Sequence, residues 1–278
     1  MSRPRLRTHP AVRGFDRAAA IYERGRPDYP RAAIDQLGRA LGLAPGTTVV
    51  ELGSGTGKLT RGLARLGAAR VAIEPMAGMR EVFVRTVPDV PVFPGTAEAI
   101  PLPAGFADAV VAGQAFHWFD PRRALPEIAR VLRPRGGLGL VWNYRDEQLP
   151  WSRRLSEIVG EYRRRTSARA DAAPAPTTRD ERWQRAIARR SSPFGPLHHR
   201  SFRHVQRASR STFVARALSV SVIAILPPGE RRRVAARVRR AIDEYPHNRG
   251  HAVLEMPYRT EVYWARKKYE VAPSGETL

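Results

Sequence analysis

The 278-residue chain carries 48 Lys and Arg against 26 Asp and Glu, a formal net charge of +22, and no cysteine. That length can bury a full core as one large domain or two small ones, and the missing cysteines exclude disulfides and thiolate metal sites. The charge invites a nucleic-acid partner. However, only Lys58, Lys267 and Lys268 are lysine, the arginine skew is what GC-rich coding gives, and the basic residues lack aromatic interleaving. Weak attraction to anions is therefore expected, and specific nucleic-acid binding is not.

Residues 1–14, with Arg3, Arg5, Arg7 and Arg13, read as a disordered basic tail. The first thirty residues hold no apolar run, and the longest apolar stretch, Val220 to Leu226, is too short for a membrane. A soluble cytoplasmic protein is the expectation. Phe15-Asp16 through Tyr29-Pro30 leads into a helix with Ile34, Leu37 and Leu41 on one face. Thr47 to Val50 is β-branched throughout and reads as a short buried strand with Glu51 at its carboxyl end. Gly53, Gly55 and Gly57 follow at alternate positions, and Leu59, Leu63 and Leu66 then recur at helical spacing.

Strand, glycine-rich turn and helix in that order form the nucleotide-binding corner of an open α/β sheet. A P-loop would need glycine at Leu52 and a hydroxyl at Leu59, so it fails twice. The dinucleotide fingerprint would need its third glycine at Lys58.

Arg70 to Ile73 is a second strand ending at Glu74, where an acid can accept hydrogen bonds from both hydroxyls of a ribose. Pro75-Met76 opens the next helix. Val90 to Phe93 and Phe106 to Gln114 are the third and fourth strands. A helical stripe of Ala124, Leu125, Ile128, Val131 and Leu132 then turns at Pro134-Arg-Gly-Gly into a fifth strand, Leu138 to Trp142.

From Trp151 an amphipathic helix carries Leu155, Ile158, Val159 and Tyr162, followed by an Ala/Pro/Thr-rich linker over 166–180. Beyond it the pattern predicts a helix from Trp183 to Arg190, a strand from Phe202 to Gln206 and a helix through Phe213 and Ala224. A further helix begins at Pro227-Pro228 and carries Val234, Val238, Ile242 and Tyr245. Two closing strands, 251–256 and 260–264, flank Pro257-Tyr258-Arg259. His198, His199 and His204 have no acidic partner at ligand spacing, so they read as surface histidines and no metal is expected.

The run Val49-Val-Glu-Leu-Gly-Ser-Gly-Thr-Gly resembles the first motif of class I S-adenosylmethionine-dependent methyltransferases. The resemblance implies that Gly53, Gly55 and Gly57 cradle the methionine part of the cofactor, with Glu51 near its amino group in place of the more usual Asp. Phe-Asp…Tyr…Arg-Pro-Asp-Tyr-Pro and Gln114-Ala-Phe-His-Trp-Phe-Asp are similar to signatures of the subgroup that holds trans-aconitate methyltransferase relatives. Through them, Tyr22, Arg26 and Tyr29 become lid contacts, Glu74 the ribose ligand, and Gln114 a residue on the methionine side. Thr96, Ala97 and Glu98 match the adenine-side turn. Pro75 and Met76 open the helix beside it, with Met76 either flanking the adenine or in the core. Trp118 falls towards the acceptor, and Asn143-Tyr144-Arg145-Asp146, placed at the fifth strand's carboxyl end, is a further source of substrate contacts. Neutral His117 is the candidate base, the alternative being that His117 and Trp118 cap the next helix.

The implied fold is a Rossmann-like, seven-stranded, mostly parallel sheet with an antiparallel last strand, helices on both faces and an added helical cap. Residues 15–278 are read as one domain, with a cofactor-binding core at 15–150, a cap and substrate region at 151–245, and closing strands at 246–278. The implied activity is methyl transfer from S-adenosyl-L-methionine to a small-molecule acceptor, an acidic one suiting the arginine-rich cap. An RNA or protein methyltransferase and a non-catalytic S-adenosylmethionine-binding module are the alternatives. Oligomeric state has no sequence signature.

Overall fold

Parallel strands and the helices between them carry the first half of the chain. The structure is a computed structural model that describes residues 18–169 and 182–268. The expected tail at 1–14, Phe15-Asp16 and positions 170–180 of the expected linker lie outside the described residues.

The helices α1 (Ala19–Gly25) and α2 (Arg31–Leu41) precede β1 (Thr48–Leu52), α3 (Lys58–Leu63), β2 (Ala69–Ile73) and α4 (Ala77–Thr86). Then come β3 (Val92–Phe93), β4 (Ala107–Gly113), α5 (Pro121–Val131) and β5 (Leu132–Arg145). The start of α5 is set locally, because Asp120 accepts from Arg122 N at 3.0 Å and Pro121 needs no N–H partner in the first turn. The second half contains α6 (Pro150–Arg169), α7 (Arg182–Ala188), β6 (His198–Ser209), α8 (Arg210–Leu218), α9 (Ser221–Ala224), α10 (Pro228–Asp243) and β7 (Val253–Arg266).

The seven strands lie in the order β3-β2-β1-β4-β5-β7-β6, with β7 antiparallel to both neighbours and the others parallel to one another in direction. This is the expected mixed sheet, with differences of detail, one being that β5 starts at Leu132, a residue expected in the helix before it, and ends at Arg145. The two closing strands are one strand, because Pro257 pairs with Val205 on β6 while β5 ends opposite Tyr258. The missing N–H therefore faces the end of β5, where Asp146 N still finds the Pro257 carbonyl at 2.9 Å. Strand β6 extends well beyond Phe202–Gln206. Helix α6 runs through Arg169, into the stretch expected as linker. The helix expected through Phe213 and Ala224 is interrupted after Leu218, where the Ser219 hydroxyl donates back to the Arg216 carbonyl at 2.9 Å.

Alternation along the strands sorts the core. Val50, Leu52, Val110, Leu138, Leu140 and Trp142 face α5 and α7, and Trp142 stacks on Trp183 at 4.6 Å. Val49, Val111, Val141 and Val262 face α2 and α3, meeting Ile34, Leu37, Leu59 and Leu63. A third cluster joins α6, α8 and α10 to the first half of β7 through Trp151, Phe213, Val238, Met256 and Tyr258. Strand β7 thus belongs to the cap at one end and to the sheet at the other. Among the described residues no helix is long and apolar enough to cross a membrane.

Trp151 is 2% exposed and meets Phe213 edge-on at 5.3 Å. Trp151→Ala is expected to lower stability in urea unfolding by about 3–5 kcal/mol. Val84→Ala, at a site 55% exposed, is expected to stay within about 0.5 kcal/mol.

A candidate active site at the carboxyl ends of β1 and β4

The strand order reverses between β1 and β4, and a crevice opens there at the strands' carboxyl ends. The turn after β1 lines it. Gly53, Gly55 and Gly57 all hold left-handed backbone, with φ of 65°, 57° and 86°. A Cβ on Gly57 would come within 2.5 Å of Val87, whereas one on Gly55 would meet nothing within 4 Å. Gly57 is therefore required by packing as well as by φ, while Gly55 borders open space.

Glu74, at the end of β2, is 5% exposed and holds the turn. Its two carboxylate oxygens accept from Gly55 N at 2.8 Å and Met76 N at 2.9 Å.

Glu51 ends β1 on the α2/α3 side and is buried, accepting the hydroxyl of Thr60 on α3. Burial, with a smaller contribution from the negative Glu74, pushes its carboxyl up to about 8 despite the Thr60 bond. Gln114, just past β4, is one of two non-glycine residues with positive φ among the described residues, at 57°. Its backbone is strained in the left-handed region. It is held there by Gln114 N to Val141 O at 2.8 Å and by its side-chain amide to Asn143 O at 3.0 Å.

The lead-in closes the crevice. Glu23 pairs with Arg61 at 2.7 Å and Lys58 at 3.5 Å, and Asp28 meets Lys58 at 3.0 Å, so α1 and the loop after it are pinned to α3 by charge. Thr56 in the turn also donates to Glu23. Asn143 donates to Asp28 O at 3.2 Å and accepts from Thr260 at 2.6 Å, tying the lead-in to β5 and β7. On its other side α1 docks on α8, backbone against backbone at Gly25. A Cβ on Gly25 would lie 2.4 Å from Arg216 N.

The resulting cleft is narrow and opens to solvent. Of the residues predicted from sequence, Tyr22, Arg26, Tyr29, Glu51, Gly53, Gly55, Gln114 and Asn143 line it. Arg26 lies over the Tyr22 ring at 4.6 Å. Enclosure by protein, then the nearby Arg216 charge, lowers its pKa to about 10. Burial raises the Tyr29 phenol well above its usual value.

The other predicted residues lie outside that lining. Gly57 caps α3 behind the turn, and Glu74 supports the turn from beneath. Met76, next to Pro75, packs with Tyr22, Ala19 and Met79. Ala97 is buried, Thr96 bridges Ala99, and Glu98 accepts from Asp120 N at 2.8 Å. His117 and Trp118 sit together in the turn before α5, their rings 5.3 Å apart, and Trp142 donates its indole N–H to His117 Nδ1 at 3.4 Å. Among the described residues no three His, Asp or Glu side chains gather as metal ligands do. Ser54, Thr56, Lys58 and Arg216 line the cleft without having been singled out. Ser54 and Thr56 fall inside the glycine motif and Lys58 directly follows it, whereas nothing local marks Arg216 among so many arginines.

A family described as "Methyltransferase domain" matches residues 50–140, which run from within β1 through the glycine turn, Glu74 and Gln114. An uncharacterized methyltransferase-like protein of Schizosaccharomyces pombe is 31% identical over 258 residues, 92% of this chain and 96% of its own. The chain belongs to the class I S-adenosylmethionine-dependent methyltransferases. An uncharacterized methyltransferase of Mycobacterium tuberculosis is 51% identical over 146 residues, but the match spans 52% of this chain and 58% of that one. The same methyltransferase fold occurs in a solved structure of a candidate type II methyltransferase from Anaeromyxobacter dehalogenans. It has a TM-score of 0.61 and 24% identity over 87% of this chain and 97% of that one.

The raised Glu51 pKa gives this methyltransferase a pH-dependent stability of defined sign. From the ordinary carboxyl value of 4.5 up to about 8, the folded state keeps a proton that the unfolded state has lost. Stability therefore falls as pH rises through that window and levels off above it. Urea midpoints of the unliganded protein measured from pH 5 to 8.5 should fall less steeply for Glu51→Gln than for the wild type.

Proposed function

We infer that the protein transfers a methyl group from S-adenosyl-L-methionine to a small-molecule acceptor. The observation that carries this reading is that Arg26 and Glu51 both line one narrow cleft at the sheet's switch point. A cation and an acid so placed suit the carboxylate and ammonium of an amino-acid end. The residues present fit such a group. Ser54 Oγ and Arg26 Nε are buried with no partner, and the Gly55 side of the turn is open.

When bound, S-adenosylmethionine supplies a methyl carbon on a sulfonium, activated for in-line attack. The chain's work is to bind, align and exclude water. Arg26 would take the carboxylate, Glu51 the ammonium, and Glu74 the ribose hydroxyls. The turn at Thr96, Ala97 and Glu98, with Pro75 and Met76, would flank the adenine. Gln114 would hold the methionine side, while Trp118 and Asn143 would face the acceptor. His117 accepts at Nδ1 from Trp142, so its neutral ring carries the proton on Nε2. In this reading it orients the acceptor as a hydrogen-bond donor, in place of the base expected from sequence. A small acceptor is supported by the covering of the cleft by α1 and α8.

Calorimetric titration tests the reading. S-adenosylmethionine and S-adenosylhomocysteine should bind in the micromolar range and NAD should not, with Arg26→Ala and Glu74→Ala each weakening the adenosyl ligands at least tenfold. Because Glu51 must ionise to meet an ammonium, affinity should rise from pH 6 to 7, by up to about tenfold, and Glu51→Gln should flatten that rise. Absence of adenosyl binding would overturn the proposal.

A further inference from the structure

A row of hydrogen-bonding side chains crosses three strands and ends at the cleft. Asn143 on β5 and Thr260 on β7 are register partners, and His204 on β6, the partner of Tyr258, lies diagonally across from Thr260. The three side chains therefore share one face of the sheet. Thr260 sits there between Tyr258 of the cap cluster and Val262 of the cluster under α2. Thr260 and Asn143 are buried, and Asn143 lines the cleft. The sequence reads His204 as a surface histidine. It is instead half-buried and stacked on Tyr258 at 5.5 Å, and its Nε2 is enclosed without a partner.

The direction of the row follows from its acceptors. Asn143 Oδ1 has no proton to give, so at 2.6 Å the Thr260 hydroxyl is the donor. A hydroxyl has one proton, so Thr260 Oγ1 accepts at its 3.2 Å contact with His204 Nδ1. The ring therefore carries a proton on Nδ1. Burial holds His204 below its ordinary pKa of 6.5, so near neutral pH that proton is its only one and Nε2 is bare. The far end of the row agrees. Asp28 O can only accept, and Asn143 Nδ2 donates to it at 3.2 Å. Each bond from β6 to the lead-in thus points the same way. With the ring proton on Nε2 instead, Nδ1 would compete for the Thr260 proton. Turning the Asn143 amide over to compensate would set its oxygen against the Asp28 carbonyl.

We propose that His204 is a positioning residue for the cleft. Its Nδ1–H, relayed by Thr260, fixes which way the Asn143 amide faces, and that amide holds the lead-in over the cleft at Asp28. Arg26 stands two residues before Asp28, so the row reaches the side chain assigned above to the cofactor's carboxylate. The pairs that Glu23 and Asp28 make with Lys58 and Arg61 are contacts between charges, which salt weakens. The Asn143 bond grips the lead-in backbone itself and is neutral. The bare Nε2 of His204 is an unpaired buried acceptor, which destabilises β6 locally. His204 thus anchors the lead-in while weakening its own strand, and substitution separates the two effects.

Two measurements on the full chain test this. The first is a long-range proton–nitrogen spectrum of histidine-labelled protein, with the His204 signals identified by their loss in His204→Asn. Near neutral pH it should show Nδ1 protonated and Nε2 bare, and a proton on Nε2 would overturn the proposal. The second is hydrogen exchange of the unliganded protein. In His204→Phe, which keeps the ring stack and loses the donor, amides of α1 and the loop to Asp28 should open about five- to tenfold more often. The Tm of that variant should stay equal or rise, because an unpaired buried nitrogen is gone. Thr260→Val breaks the row in its middle and should open the lead-in equally, which serves if His204→Phe does not fold. His204→Asn places an amide N–H where Nδ1 stands and should return exchange to the wild-type rate. Unchanged exchange in His204→Phe and Thr260→Val, or exchange in His204→Asn as fast as in either, would also overturn the proposal. Calorimetry with S-adenosylhomocysteine keeps this apart from the reading above. Missing adenosyl binding sinks methyl transfer alone, whereas adenosyl binding with unchanged exchange sinks the His204 relay alone.

Discussion

The site depends on β1 having a parallel neighbour on each side. Val49, Val50 and Glu51 pair with β2 through Arg70, Val71 and Ala72, and with β4 through Ala109, Val110 and Val111. Connections from β1 and β4 therefore leave in opposite directions, and the space between them cannot be filled by the helices that follow. The glycine turn, Gln114 and Asn143 border that space because they sit at or just past the ends of β1, β4 and β5. Glu74 then fixes the shape of the turn by bonding its backbone.

Electrostatics divides the cleft into two halves. On the outer side Lys58 and Arg61 meet Glu23 and Asp28, an arrangement of paired charges that holds the lead-in against α3. On the inner side the charges are unpaired, with an acid that burial keeps largely neutral and the cleft arginines Arg26 and Arg216. Paired charges contribute to architecture, whereas desolvated unpaired ones hold free energy that a ligand of complementary charge recovers.

What was legible in the sequence was local. Glu51, the three glycines and Glu74 stand out because a strand, a turn and a helix impose residue types at short spacing. The Arg26 lead-in was legible by resemblance. Arg216 was not legible, since it is one of many arginines and its place beside Arg26 in the cleft joins residues nearly two hundred positions apart. Gly25 was silent for the same reason, because its requirement comes from the backbone of Ala215 and Arg216. Pro257 misled for a physical reason. Proline argues against a central strand, but here β5 stops one residue short of it, so no ladder bond is lost.

The long-range register of β7 also has a consequence for how the chain acquires its fold. Strand β5 pairs Gly137–Arg145 with Tyr258–Arg266, more than a hundred residues later. During synthesis the β5 edge, with Leu138, Leu140 and Trp142 beside it, must wait unpaired while α6, α7, β6 and the cap helices are made. Pairings of such separation are slow, and open hydrophobic edges invite contact with other chains. The sheet is sealed only when β7 enters between β5 and β6, and the same event completes the cap cluster around Met256 and Tyr258. Sheet closure and cap formation are thus one late folding step, and a nascent chain halted before Val253 has neither.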